Sequence, residues 1–284
     1  MHAMKPSIDI LMVTYQAPES TRMALDGLLD TCDESMRVWL WHNGDHEETL
    51  EVVRGFAKHP CVHRFHHSRE NVRLWAPTNW LFEEATGDYL SKIDDDNVVP
   101  KGWIKPLLQA HADFDKFGVL GCWRFQEEDF IPELAAAKIR EFPGGHRLML
   151  NFWVEGSCFL MKRRCREDLG PLKQGQTLPS YFKSLALRGW VNGWYYPFIR
   201  YDNLDDPRCA RALVRTQADF EARLPLTAQF NGVSSIDEWV EQLRRSARVA
   251  QTASIDPRYW GFWPQKMRSL RFRIESLFGR KHKW

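Results

Sequence analysis

Three consecutive aspartates, Asp94, Asp95 and Asp96, close the stretch Asp88-Tyr89-Leu90-Ser91-Lys92-Ile93-Asp94-Asp95-Asp96-Asn97. Carboxylates this close repel one another, and ionised together they are tolerated mainly when well solvated or when they hold a cation. Hard oxygen donors select Mg²⁺ or Mn²⁺, which bind through one or two carboxylates and leave other positions to substrate phosphates. The row is therefore either a solvated acidic turn or the protein's share of a metal–phosphate site. Tyr89, Leu90 and Ile93 read as a short buried strand, bounded by Gly87-Asp88 before it and Pro100-Lys101-Gly102 after it. The acids then sit where a strand leaves its sheet, the end that lines the ligand crevice in open α/β sheets.

The elements around this strand alternate. Ile8 to Tyr15 is a buried-strand run broken at Gln16-Ala17-Pro18, and Glu19 to Thr31 carries Met23, Ala24, Leu25, Leu28 and Leu29 at helical spacing. Arg37 to Trp41 and Cys61 to Phe65 predict further strands, with helices over 47–56 and 77–86, the second ended by Gly87. After the acidic strand come a helix over 103–117 and a fifth strand over 119–123. This alternation argues for a mainly parallel sheet with helices on both faces. Residues 124–150 read as an irregular insertion over the sheet, with a short helix near 133–140 and a turn at Pro143-Gly144-Gly145. A strand over 152–161, a helix over 178–187 and a strand over 194–199 follow, and beyond Pro207 the pattern is helical.

Composition narrows the class. The chain has 284 residues, 44% hydrophobic and 27% charged, without a long apolar span, so a folded protein with no transmembrane helix is expected. The start, Met1-His2-Ala3-Met4-Lys5-Pro6, has no signal-peptide pattern, and a cytosolic location is expected. The six cysteines form no Cys-x-x-Cys pair, which signals neither a disulfide framework nor a zinc site. No Gly-x-Gly-x-x-Gly follows the first strand, and neither a Gly-Lys-Ser/Thr loop nor a His-Glu-x-x-His helix is present. Residues 264–284 hold seven Lys/Arg against one acid, a local charge of +6 that leaves the rest at −4. There Met267, Leu270, Ile274, Leu277 and Phe278 recur at helical spacing behind Tyr259-Trp260-Gly261-Phe262-Trp263. Such a segment suits peripheral contact with an anionic membrane over 259–284, or a helix packed on the body with its basic face in water. Nucleic acid is not expected as a partner.

With these elements in place, residues 8–205 resemble the family 2-like glycosyltransferases of GT-A fold. The resemblance rests on ordered motifs: Val13-Thr14-Tyr15-Gln16, Trp41-His42-Asn43-Gly44-Asp45, Glu70-Asn71-Val72, Thr78-Asn79, Ala85-Thr86-Gly87-Asp88-Tyr89-Leu90 running into Asp94-Asp95-Asp96, and Glu155-Gly156-Ser157 through Leu169-Gly170. It implies a nucleotide-sugar half over about 1–123, an acceptor half over about 151–205, and a helical extension over 206–284 ending in the basic amphipathic tail. It also implies a donor such as a UDP-, GDP- or TDP-sugar, a saccharide or lipid-linked acceptor in surface glycan synthesis, and Mn²⁺ or Mg²⁺. Thr14, Tyr15 and Asn43 would hold the base and ribose, with Asn71, Asp94 and Asp95 completing the nucleotide-sugar site; Asp96 would bind the metal.

The chain departs from the family pattern at four places. His42 replaces a base-reading aspartate, Val72-Arg73 lacks a glycine, and Thr78 replaces an arginine. Inverting members carry Glu-Asp at the start of the helix after the acceptor segment, where this chain reads Leu178-Pro179-Ser180-Tyr181-Phe182. Glu155 and Asp205 are then the candidates for the catalytic base, although Asp205-Asp206-Pro207 also suits a helix start. Asn43 and Asn71 fit ordinary turn chemistry equally. Lys92 and Arg73 are phosphate-contact candidates, and Lys92 also reads as a solvated strand residue. Two other readings stand beside the transferase: a nucleotide- or glycan-binding protein without turnover, and a sugar-1-phosphate nucleotidyltransferase, whose glycine-rich basic loop is missing from 15–21.

Overall fold

The computed structural model describes residues 6–260. The chain forms two compact units, residues 1–252 and residues 253–284. In the second, the described residues include a short helix, Pro257–Trp260, whose Trp260 indole donates to the Ser254 carbonyl at 2.7 Å. The basic amphipathic stretch expected beyond residue 260 lies outside the described residues.

The first unit opens with β1 (Ile8–Thr14), α1 (Pro18–Leu29), β2 (Met36–Asn43), α2 (Glu47–Phe56), β3 (Val62–Ser68), α3 (Trp75–Glu84) and β4 (Tyr89–Asp94). All seven residues of β1 are buried, as a strand covered on both faces requires. Its one charged side chain, Asp9, accepts from Arg37 Nε and Nη2 at 2.8 and 2.7 Å, Trp39 Nε1 at 2.8 Å and the Gly87 N–H at 2.7 Å. These bonds tie the incoming ends of β1, β2 and β4 together, so the outgoing ends are left to form the site. Gly87 does more than end α3: a Cβ there would stand 2.7 Å from Asp9 Oδ2 and 3.0 Å from the Ser7 carbonyl.

Then come β5 (Asn97–Val98), α4 (Ile104–Asp113), β6 (Phe117–Gly121), α5 (Pro132–Ala135), β7 (Ile139–Glu141), β8 (Arg147–Leu150), β9 (Phe159–Lys162), α6 (Arg163–Leu169), α7 (Leu178–Leu187), β10 (Val191–Tyr196) and β11 (Asp202–Asn203). The large sheet runs β3-β2-β1-β4-β9-β6-β10-β8-β7, and β5 pairs with β11 in a separate two-stranded ribbon. Leu11, Trp39 and Trp41 pack with Leu81 of α3 and Phe182 of α7 on one face, and Ile10 and Met12 pack with Leu25 of α1 and Leu107 of α4 on the other. The α/β layering and the helices over 47–56 and 178–187 match the sequence reading.

Four details differ. The sheet is mixed: β3, β2, β1 and β4 are parallel, but β9 enters antiparallel between β4 and β6. An antiparallel neighbour needs no crossover helix, so helix–strand alternation carries no signal for it. Residues 139–141 and 147–150 are not an insertion over the sheet; they extend its edge as a hairpin around Pro143-Gly144-Gly145. Only 159–162 of the apolar run from 152 is strand, because Asn151, Ser157 and their neighbours spend their polar groups on other segments. The strand read at 194–199 is shifted to 191–196 and stops before Pro197, which has no N–H for a ladder.

Residues 206–252 fold with the sheet in the same unit, through α8 (Gln217–Arg223), α9 (Leu226–Phe230) and α10 (Ile236–Thr252). The end of α10 is sewn to the sheet edge: Lys138 Nζ and Asn151 Nδ2 both donate to the Ala250 carbonyl, at 2.6 and 3.0 Å, and Gln251 exchanges bonds with the backbone of Asp129 and Ile131. Burial pulls the Lys138 ammonium down to about 7 from its ordinary 10.5. Above that folded value and below the unfolded one, the unfolded chain binds the extra proton, so stability rises with pH across the window. The melting temperature of the wild type, measured against Lys138→Met, is expected to gain about 3 to 5 °C per pH unit between pH 7.5 and 9.5. A constant difference across that range refutes the assignment.

Candidate active site

β4 ends at Asp94, and the chain turns through Asp95 and Asp96 into β5. The turn is held from below: the Asp94 N–H and Asn97 Nδ2 both donate to Ser157 Oγ, at 2.9 and 2.8 Å. Lys92 is only 2% exposed, ion-pairs with the Asp94 carboxylate and donates to the Gly156 carbonyl at 3.2 Å. It is therefore not a solvated strand residue. Residues two apart on a strand share a face, so Lys92 and Asp94 were legible as a pair, but not as a buried one.

Asp95 is directed toward β1 and α1. Its Oδ2 accepts from the Tyr15 N–H at 2.9 Å and from Thr21 Oγ1 at 3.4 Å, fastening the acid row to the end of β1 and the start of α1. Burial pushes its carboxyl up to about 7 against the lowering effect of the Tyr15 bond, with the charges of Asp94 and Asp205 adding to the rise.

Asp96 is arranged differently. Its Oδ2 accepts from Asn203 Nδ2 at 3.1 Å and its carbonyl from the Leu204 N–H at 2.8 Å, while Oδ1 is buried with no hydrogen-bond partner. Burial, then the charges of Asp205, Asp94 and Asp95, hold its carboxyl well above the usual range. Asp205 joins the row because β11 pairs with β5; the Trp239 indole of α10 fixes its carbonyl at 2.7 Å. Burial raises the Asp205 carboxyl to about 6, against the pull of Arg223 and Arg124. The adjacent Asp206 belongs elsewhere, closed by Arg208 at 2.9 to 3.0 Å together with Asp129.

Glu155 lies in the irregular segment before β9, next to the Gly156 and Ser157 that hold Lys92 and the Asp94 turn. Trp194 Nε1 donates to its Oε2 at 2.6 Å; burial raises its carboxyl and Arg124 opposes the rise. α7 has no acid in its first turn, and its Thr177 cap uses its own hydroxyl on the Ser180 N–H. A Cβ on Gly156 would meet Leu178 at 3.2 Å, so the backbone next to Glu155 packs on the start of α7.

On the nucleotide side the expected residues divide. Thr14 Oγ1 and His42 Nδ1 are bonded at 2.9 Å in full burial. Burial, helped by His67 and His46, pulls His42 down to about 4, so it is neutral, and its Nε2 is buried without a partner. Both ends of the Asn43 amide are committed, Oδ1 to Trp41 Nε1 at 2.9 Å and Nδ2 to the Arg73 carbonyl at 3.1 Å. Asn71 is exposed and accepts from the Arg73 N–H at 2.9 Å, an Asx turn. Arg73 has φ +61°, the left-handed conformation for which the family pattern supplies glycine. Tyr15 lies against Gly44, whose φ is +85°.

The structure thus gathers Asp94, Asp95, Asp96 and Asp205 at the outgoing end of β4, and Arg124 stands in the field of both Asp205 and Glu155. It also adds Trp239 and Arg124, which the sequence did not single out, and gives Ser157 and Asn203 positioning roles. A groove between α1 and α2, lined by Pro18, Arg22, Glu48, Glu51, Val52, Gly55 and Phe56, contains none of these acids.

Residues 9–169, more than half of the chain, match the glycosyl transferase family 2. The chain belongs to this family. A curated relative, the Bacillus subtilis (strain 168) protein named "Putative glycosyltransferase EpsE", is 24% identical over 130 residues, which are 41% of this chain and 47% of EpsE. The match therefore spans about half the length of that relative. Among solved structures, the family 2 chain resembles the mannosyltransferase PcManGT from Pyrobaculum calidifontis, solved in complex with GDP-Man and Mn²⁺. The TM-score is 0.58 and the identity 15%, over 98% of this chain and 88% of that one. That likeness shows the GT-A fold. Among the described residues of the family 2 chain, no three His, Cys, Asp or Glu side chains enclose a cation by themselves. A hard cation sharing its shell with phosphates needs fewer, and the free Asp96 Oδ1 beside Asp205 suits it.

Proposed function

We propose that the protein is a metal-dependent glycosyltransferase that moves a sugar from a nucleotide donor to an acceptor hydroxyl. The observation that carries this reading is the buried, unpartnered Asp96 Oδ1 within a group of acids at the strand ends of a family 2 chain. Asp96, with Asp205 beside it, would hold Mn²⁺ or Mg²⁺; bound there, the cation neutralises the charge developing on a leaving nucleoside diphosphate. The chain's own residues do the rest. Lys92 balances Asp94 and leaves its other oxygen for the donor, Asp95 locks the Tyr15 turn in place, and Glu155 takes the proton of the acceptor hydroxyl, with Asp205 as the alternative base.

The GDP-Man bound by the structural neighbour makes GDP-mannose the first donor to test, before UDP- and TDP-sugars. A saccharide or lipid-linked acceptor in surface glycan synthesis fits this class. Incubation with each donor, with and without Mn²⁺, is expected to release nucleoside diphosphate from one donor in a metal-dependent manner. Binding without release in the presence of acceptor extracts would favour the non-catalytic reading. Pyrophosphate-dependent formation of nucleoside triphosphate would favour the nucleotidyltransferase.

A further inference from the structure

Arg124 follows β6 at the point where the chain pairs with residues 199–201: the Trp123 N–H donates to the Ile199 carbonyl at 2.8 Å, and the Tyr201 N–H to the Trp123 carbonyl at 3.2 Å. Trp123 and Phe125 contact each other on the core face, with ring centroids 4.8 Å apart. Alternation along an extended segment therefore directs Arg124 away from their cluster. Its guanidinium curls over the Phe125 ring at 4.9 Å and stands in the field of Glu155, Asp205 and Tyr201.

Among the described residues Arg124 forms no hydrogen bond or ion pair, and its Nε is buried without an acceptor. Other cations have acceptors: Arg37 in Asp9, Arg208 in Asp129 and Asp206, Lys92 in Asp94, and Lys138 in the Ala250 carbonyl. Arg163 and Arg166 also hold a buried, unpartnered Nε, but both lie on α6, outside the acid cluster. A buried donor left without an acceptor is costly, and a planar guanidinium offers paired N–H groups that match phosphate oxygens. The nearby carboxylates balance its charge without occupying its hydrogens.

We propose that the Arg124 guanidinium is a phosphoryl subsite that hydrogen-bonds the terminal phosphate of the donor's diphosphate and stabilises it as the leaving group. This rests on the glycosyltransferase reading. The same chemistry could instead serve a phosphate carried by the acceptor, and the two sources make different predictions for the free nucleotide.

The test measures binding of the nucleoside diphosphate and monophosphate of the active donor, with Mn²⁺, by calorimetry to the wild type and to Arg124→Gln. Loss of a charge-assisted hydrogen bond is expected to weaken diphosphate binding about 10- to 100-fold while leaving the monophosphate unchanged. Arg124→Lys, which keeps the charge but not the fork, is expected to fall between, and it serves if the glutamine variant folds poorly. Equal diphosphate affinity in wild type and both variants overturns the proposal; if the acceptor KM then rises, the phosphate belongs to the acceptor. Equal weakening of both nucleotides also overturns it, since that marks a general disturbance of the site. A wild type that binds no nucleoside diphosphate overturns the glycosyltransferase reading itself.

Discussion

Asp96→Asn is expected to abolish the metal-dependent response of the protein to its donor nucleotide. At a nucleotide concentration about a hundred times its Kd, with Mn²⁺, the wild type gains roughly 2.7 kcal/mol of stability. For a chain of this size that is a melting shift of about 5 to 10 °C. The variant should lose most of the shift, and sugar transfer should drop about 10²- to 10³-fold, the usual cost of losing one group that stabilises developing charge. The unliganded variant should melt at the same temperature or slightly higher. Burial and the charges of Asp205, Asp94 and Asp95 hold the Asp96 carboxyl above its ordinary range, so its ionised form opposes folding at neutral pH. Asparagine keeps an oxygen for Asn203 Nδ2. Differential scanning fluorimetry with and without Mn²⁺ decides the matter; equal metal-dependent shifts in both proteins would exclude Asp96 as the group that holds the metal.

Glu155→Gln carries the second large effect. The amide carbonyl can still accept from Trp194 Nε1, so the segment before β9 should keep its path and donor affinity should stay nearly constant. A glutamine cannot take a proton, and transfer is expected to fall about 10²- to 10⁴-fold. The pH profile supplies an independent reading. Burial raises the Glu155 carboxyl while Arg124 opposes it, so the wild-type rate should climb with pH through a value above the usual carboxylate range. The variant should lose that limb. Normal turnover in Glu155→Gln excludes it as the base and transfers the role to Asp205, whose variant should then show the loss.

Some departures from the family pattern acquire a physical account from the structure. Arg73 stands where glycine is usual and adopts the conformation glycine would, at φ +61°. For a side chain this costs about 1 to 2 kcal/mol. The Asx turn from Asn71 and the Asn43 bond to the Arg73 carbonyl help hold it there. His42, in place of an aspartate, is compatible with its dry position because burial keeps it neutral and Thr14 takes one ring nitrogen. An ionised carboxylate at that depth would need a cation or several donors.

The parts legible in the sequence are those with a local cause. The unbroken apolar run of β1, the helical spacing of α2 and α7, and the acids at the end of β4 each follow from side chains a few residues apart. Ordered short motifs sufficed for the family. The parts that were missed have distant causes. β7 and β8 are three and four residues long, too short for periodicity to register, and they exist because the edge of β10 is there to pair with. β9 runs antiparallel because residues 151–158 lead from Asn192 past Gly121, against which Val154 packs, to the outgoing ends of β4 and β6, where Ser157 is held by Asp94 and Asn97.

By itself the sequence determined an α/β chain with three carboxylates at a strand end and a glycosyltransferase's order of motifs, since hydrophobic period and turn chemistry are written within each segment. Only the tertiary structure decided how those carboxylates are used. The β5–β11 ribbon brings Asn203 and Asp205 to Asp96, the α10 helix fixes Asp205 through Trp239, and the register of β4 between β1 and β9 buries Lys92 against Asp94. It also set three roles for three adjacent aspartates: one paired, one fastened to a backbone amide, one left with a free oxygen. Identical side chains in consecutive positions differ only in what the rest of the fold places beside them, and those partners come from segments up to 107 residues away.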